Sequence, residues 1–309
     1  MNLMPNDWNS LYPSSASQVW QTRGLRYHYL DTSPGKGEPP GARTASGDLP
    51  VILCVHGNPT WSFYYREVVK RFSATHRVIA VDHIGCGLSD KPPRGQYPYT
   101  LASRCDDLVG LIDHLDLHNI TLLAHDWGGA IGLAASVERV DRMAAIILLN
   151  TAAFPPPYMP KRIGILRTPL LGSIAMRGFN AFAGPAVTMA MSKQRMSPAV
   201  AAGLLHPYRS WHDRVAIDSF VKDIPMSTAH PTYAVLEQLE RDLAKLSRLP
   251  KRLIWGMKDW CFRPECLERF IKHWPEADIV RLNDVGHYVI EDAPDETLAA
   301  IAEFVQRVP

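Results

Sequence analysis

Short apolar runs rich in β-branched residues alternate with longer amphipathic stretches along most of this 309-residue chain, and few folds accommodate that alternation. Runs such as VILCV show no apolar-polar period, as expected of strands buried on both faces, so the spacing predicts a parallel sheet covered by helices. Strands are expected over 51–55, 77–82, 120–125, 145–150, 252–255 and 278–282, and helices over 62–72, 101–115, 128–140, 231–246, 264–274 and 294–308. Residues 26–30 alternate like an antiparallel edge strand. The Pro-, Gly- and Ser-rich stretch from Pro34 to Pro50 predicts a mobile surface loop.

The alternation stops between Phe154 and Pro225. This stretch opens with FPPPYMP, holds nine of the 25 prolines and five of the ten methionines, and has helical rather than strand periodicity. It predicts a helical cap, residues 154–225, inserted between two parts of one core, 1–153 and 226–309. Nine Lys or Arg against three Asp give the cap +6 and leave −4 elsewhere. Such a surplus reads as a solvated basic face, or as a docking surface for an acidic partner or anionic surface.

Composition removes several function classes. A formal charge of +2 gives no electrostatic case for binding nucleic acid. Five cysteines without a C-x-x-C spacing indicate neither a disulfide framework nor a zinc ribbon, and favour a reducing compartment. The start MNLMPNDWNS lacks the charged and apolar regions of a signal peptide, and no apolar stretch approaches the roughly 18 residues of a membrane span. A cytoplasmic protein is expected.

The strongest chemical signal is ITLLAHDWGG, residues 120–129. A strand, a tight turn with small residues at Ala124, Gly128 and Gly129, and a helix start form a nucleophile elbow. The elbow presents Asp126 where an esterase carries Ser, which excludes a serine-type esterase. A carboxylate can attack a saturated carbon to form an ester. An isolated Asp here would otherwise read as a helix cap. After the strand VILCV comes HGNPTW, whose position predicts oxyanion-hole donors from the backbone of Asn58 and Trp127, with side-chain N–H groups able to hold a leaving anion. By itself HGNP is an ordinary turn. Asp284-Val285-Gly286-His287-Tyr288 follows the last strand, and the order nucleophile, acid, base selects His287 from twelve histidines. The acid is expected at Asp259, after the strand RLIW, with Asp292 and Asp284 as competitors; Asn150 and Thr151, at the other location where an acid is found, offer no carboxylate.

Taken together, HGNPTWSFYYR, DHIGCGLSDKP, HDWGG, GMKDWCF and DVGHY resemble the haloalkane dehalogenase family of α/β-hydrolases over nearly the whole chain. The resemblance implies an α/β-hydrolase fold with an eight-stranded, mostly parallel sheet and a cap after the sixth strand. It implies Asp126 as nucleophile, His287 as base, Asp259 as its partner, Asn58 and Trp127 as the halide-binding pair, and no metal or organic cofactor. The Asn and Trp pair with a late acid is similar to the third dehalogenase subfamily. That branch includes the β-lactone decarboxylases of long-chain olefin biosynthesis, which SFYYR, DHIGCGLSDKPP and WGMKDWCFRPE resemble further. The expected activity is hydrolytic dehalogenation through an aspartyl ester; the alternatives are decarboxylation of a cis-β-lactone to an alkene and a non-catalytic ligand-binding role. An epoxide hydrolase would need ring-opening tyrosines in the cap, where only Tyr158 and Tyr208 are available. The substrate is expected to be apolar, with Met176, Phe179, Phe182, Met189 and Met191 suited to an alkyl pocket. Self-association, or a complex with olefin-pathway enzymes, is implied as well.

Overall fold

The computed structural model describes residues 8–33 and 49–308. The segment 34–48, and with it nearly all of the expected loop, lies outside the described residues. Among the described residues eight strands form one sheet: β1 (Ser17–Thr22), β2 (Leu25–Asp31), β3 (Val51–Val55), β4 (Arg77–Val81), β5 (Ile120–Asp126), β6 (Met143–Thr151), β7 (Lys251–Gly256) and β8 (Asp278–Leu282). Their spatial order is β1-β2-β4-β3-β5-β6-β7-β8, with β1 and β2 antiparallel and the rest parallel.

The uninterrupted apolar runs follow from burial on both faces. Successive residues of a strand point to opposite sides, so Val51, Leu53 and Val55 enter one core while Ile52 and Cys54 enter the other. The helices α1 (Arg66–Phe72), α2 (Leu101–His114) and α3 (Trp127–Glu138) connect the early parallel strands. Residues 26–30 are antiparallel as expected but do not form the edge, because β1 pairs outside β2 in full register. β1 reads SQVWQT and is exposed or half-buried throughout, so it carries no apolar pattern from which to predict it.

Between β6 and β7 the chain builds helices α4 (Lys161–Leu166), α5 (Ala183–Met189), α6 (Pro198–Leu205) and α7 (Val215–Asp223), followed by α8 (Pro231–Asp242). Most of these helices are short, and several prolines interrupt them. They lie over the carboxyl ends of the parallel strands, the place where open α/β sheets collect their functional loops. The helices α9 (Pro264–His273) and α10 (Pro294–Val305) complete the core.

Candidate active site

Asp126 closes β5 with φ +55° and ψ −132°, a conformation few non-glycine residues adopt. Two glycines make the turn sterically feasible: a Cβ on Gly57 would overlap the Asp126 carboxylate, and one on Gly128 would overlap the Val55 carbonyl. The Thr151 hydroxyl, at the end of β6, donates to the Asp126 carbonyl and holds the strained peptide in place.

Asp126 is 5% exposed. Its Oδ1 accepts the Asn58 backbone N–H at 2.6 Å, and the Trp127 N–H also favours the charged form of the carboxylate. Both N–H groups expected of an oxyanion hole therefore act on the Asp126 carboxylate. This suits a carboxylate nucleophile, because after alkylation Oδ1 becomes the ester carbonyl oxygen and carries the negative charge when that ester is attacked. Burial pushes the Asp126 pKa up to about 6, against the lowering effects of His287 and the two N–H donors. A carboxylate acts as a nucleophile only when ionised, so turnover that depends on Asp126 should rise as pH increases through about 6, a limb visible in kcat/KM from pH 5 to 7.

His287 follows β8 and lies between two carboxylates. Its Nδ1 is 2.8 Å from Asp259 Oδ2, and its Nε2 is 3.6 Å from Asp126 Oδ2. Burial alone would lower the His287 pKa, but the charge and hydrogen bond of Asp259, together with Asp126, raise it above 6.5. His125, its ring tilted against that of His287, donates from Nε2 to the His287 carbonyl at 2.9 Å and is kept neutral by burial and by His287.

Asn150 occupies the other strand end considered for the acid, and its role was not legible in the sequence. At φ +23°, where Asn is better tolerated than most residues, it donates from Nδ2 to Asp259 Oδ2 at 2.9 Å and accepts the Gly256 N–H at 2.7 Å. The Cys261 N–H donates to the other Asp259 oxygen at 2.6 Å. Asp259 is thus aimed at His287 from two sides. Replacing Asn150 with Ala should slow the His287-dependent step about ten-fold while leaving alkylation of Asp126 intact, a split that pre-steady-state kinetics resolves.

The competing acids lie elsewhere. Asp284 is exposed near Lys193. Asp292 accepts backbone N–H groups from Ser192, Lys193, Gln194 and Gly286 at 2.6–3.1 Å, tying the insertion to the turn that carries His287. Asp292→Ala would strand these donors and should cost about 3 kcal/mol or more in urea unfolding.

Asn58, Asp126, Trp127 and His287 line one cavity of about 420 Å³, closed largely by apolar side chains from the insertion and from the loop after β7. Asn58 donates from Nδ2 to the Ile217 carbonyl at 3.3 Å, which orients its amide. Of the residues expected in an alkyl pocket, Phe182 and Met189 line it. Met176 is instead buried against Ile163 and Val221, Phe179 is 81% exposed, and Met191 packs against a core face. Phe154, Tyr158 and Met159 from FPPPYMP, and Trp260, Cys261 and Phe262 after Asp259, complete the wall. The Tyr158 hydroxyl donates to the Cys261 carbonyl at 2.8 Å and accepts the Arg263 N–H, and Tyr208 is buried on the Thr60 carbonyl. Neither hydroxyl is free to open an epoxide. Among the described residues no group of three or more metal-binding side chains occurs.

Residues 50–294 match the family described as alpha/beta hydrolase fold. The chain belongs to that family as a haloalkane dehalogenase-like α/β-hydrolase. It is 38% identical to the cis-3-alkyl-4-alkyloxetan-2-one decarboxylase of Shewanella oneidensis, over 91% of this chain and 86% of that one. It is 32% identical to haloalkane dehalogenase 2 of Mycobacterium bovis, over 95% and 96%. The crystal structure of the haloalkane dehalogenase DatA from Agrobacterium tumefaciens superposes with a TM-score of 0.80 at 25% identity, covering 95% of this chain and 97% of that one.

Proposed function

We propose that Asp126 is the nucleophile of this enzyme, that it forms a covalent ester with an apolar alkyl substrate, and that the preferred substrate is a cis-3,4-dialkyl-oxetan-2-one. One observation carries the reading: a buried carboxylate, with one oxygen held by the Asn58 backbone N–H and the other near His287, lies in an otherwise apolar cavity. The higher identity to an oxetanone decarboxylase than to a dehalogenase supports the choice of substrate. In this proposal residues 154–225 act as the cap that supplies the apolar wall.

Asp126 Oδ2 attacks ring carbon 4 and displaces the ring oxygen, and the carboxylate so released is received by the Asn58 and Trp127 side-chain N–H groups. The bond from carbon 3 to that carboxylate then breaks. Its electron pair forms the carbon 3 to carbon 4 double bond as the ester oxygen of Asp126 departs, giving alkene, CO₂ and the original carboxylate. No water is consumed.

A second reading is supported by the 32% identity to haloalkane dehalogenase 2 and by Trp127, which lines the cavity beside Asp126. Asp126 then displaces halide from a haloalkane, Trp127 and Asn58 stabilise the departing anion, and His287, oriented by Asp259, deprotonates the water that cleaves the ester. Side-by-side turnover separates the two: alkene and CO₂ from a long-chain cis-β-lactone against halide from 1-bromo- and 1-iodoalkanes, each with Asp126→Ala. Efficient lactone conversion with feeble halide release is expected. Faster halide release that vanishes in the variant would make dehalogenation the function, and silence on both would favour a ligand-binding role.

A cytoplasmic location belongs to the same proposal, supported by five free cysteines, four of them buried. So does self-association or a complex with enzymes that supply the lactone. A strict monomer at high concentration that ignores such enzymes would remove that last element.

A further inference from the structure

The insertion carries an apolar surface that the active site does not use. Ile165, Leu170, Leu171, Ile174 and Phe179 are 69%, 72%, 71%, 39% and 81% exposed within fifteen residues of chain. Trp211, 47% exposed, adjoins them through Arg177, whose guanidinium lies 4.5 Å above the indole ring. Leu170 is presented at φ +58°, a strained backbone for a branched side chain that makes no use of the core. Isolated surface leucines are ordinary, but a contiguous exposed patch of this kind marks a contact surface.

Along this stretch of chain the charge has one sign, and the carboxylates that reach it, Asp218 on the Ser173 hydroxyl and Asp213 beside Trp211, come from the helix and turn that follow. Lys161, Arg162, Arg167 and Arg177 lie in the same segment, and no Asp or Glu occurs from residue 142 to residue 212. Arg162 and Ile165 also line the cavity, so the ridge is continuous with the mouth of the active site. Two copies of this ridge facing each other would oppose a net positive surface to itself, which disfavours self-pairing. An apolar ridge flanked by cations matches the boundary between acyl chains and anionic headgroups, where side chains such as Phe and Leu insert and Lys and Arg reach the phosphates.

We propose that this ridge docks the protein on an anionic lipid surface, with the cavity mouth facing the membrane so that an apolar substrate passes directly between bilayer and Asp126. The benefit to turnover rests on the apolar-substrate reading above, whereas docking is measured without turnover. The full chain is floated with vesicles of phosphatidylglycerol and phosphatidylcholine, and with phosphatidylcholine alone. The anionic vesicles should bind on the order of ten-fold more strongly, and binding should fall between 50 and 500 mM salt. Leu171→Ser with Phe179→Ser should weaken binding at least ten-fold, and Lys161→Gln with Arg167→Gln should remove most of the preference for anionic lipid. Thermal melts matching the parent confirm that each variant is folded, and the salt series on the unaltered protein tests the proposal without any substitution. Equal recovery on neutral and anionic vesicles, or no recovery on either, overturns it. Self-association that the Leu171 and Phe179 substitutions abolish, in the absence of lipid binding, overturns it as well and assigns the ridge to a second copy.

Discussion

Replacing Asp126 with Asn should reduce turnover of both the lactone and the haloalkane by at least about 10⁴-fold while leaving a folded protein. The magnitude is that of removing a covalent nucleophile, where residual activity comes only from binding and the surrounding dipoles. Asn is nearly isosteric, tolerates positive φ, and can still accept the Asn58 and Trp127 N–H groups. It should also stabilise the fold. The folded pKa of Asp126, about 6, lies above its ordinary 3.8, so the native state holds this proton more tightly than the unfolded chain does. That contribution is fully present below pH 3.8 and is lost as pH rises through about 6. At pH 7.5 Asp126 is therefore a liability on the order of 3 kcal/mol, with its pairing with His287 already included. Asp126→Asn should accordingly melt a few degrees higher than the parent at pH 7.5, with the gain disappearing near pH 4. A variant that keeps more than a hundredth of the parental turnover would remove Asp126 from the chemistry.

Replacing His287 with Gln should affect the two halves of a haloalkane turnover differently. Displacement of halide needs the Asp126 carboxylate and an acceptor for the anion, and neither is supplied by the imidazole. Cleavage of the ester needs a base, and no other group lies at 3.6 Å from Asp126 with an acid behind it. The variant should release a burst of about one halide per active site and then turn over at least about 10³-fold more slowly than the parent. With the oxetanone the loss should be smaller, because the proposed route regenerates the carboxylate without water. Steady halide release without a burst would place the slow step before the ester.

Much of the architecture was legible because burial on both faces writes itself as uninterrupted apolar runs. The bounds of β3 and β8 agree with those expected from the sequence, while β5, β6 and β7 extend one or two residues further. Legibility failed where burial is partial. The edge strand β1 has only Val19 and Trp20 as apolar residues, neither buried, and so looks like loop. In the insertion, composition identified apolar side chains but not their direction. Helical segments of three to nine residues are too short to impose a face, which is why Phe179 points to solvent while Phe182, three residues on, lines the cavity. At the candidate site, Asp126, Asn58, Trp127, Asp259 and His287 were readable because each sits in a turn just after a recognisable strand. Asn150 was not, because its value lies in the adjacency of β6 and β7, which brings it to Asp259 across more than a hundred residues of chain. Asp292, a competitor for the acid, has its carboxylate engaged by four backbone N–H groups, an arrangement likewise set by tertiary contacts.

The central claim is that Asp126 itself becomes alkylated. Other nucleophilic side chains share the cavity wall with Asp126, among them the thioethers of Met159 and Met189 and Cys261, whose thiol is held protonated by burial and by Asp259. The most direct measurement is therefore peptide mass spectrometry on His287→Gln after exposure to 1-iodohexane. One hexyl group per chain is expected, on Asp126 within the peptide that spans residues 120–129, and none in Asp126→Asn, His287→Gln. An adduct on Cys261, or halide release with no adduct anywhere, would contradict it.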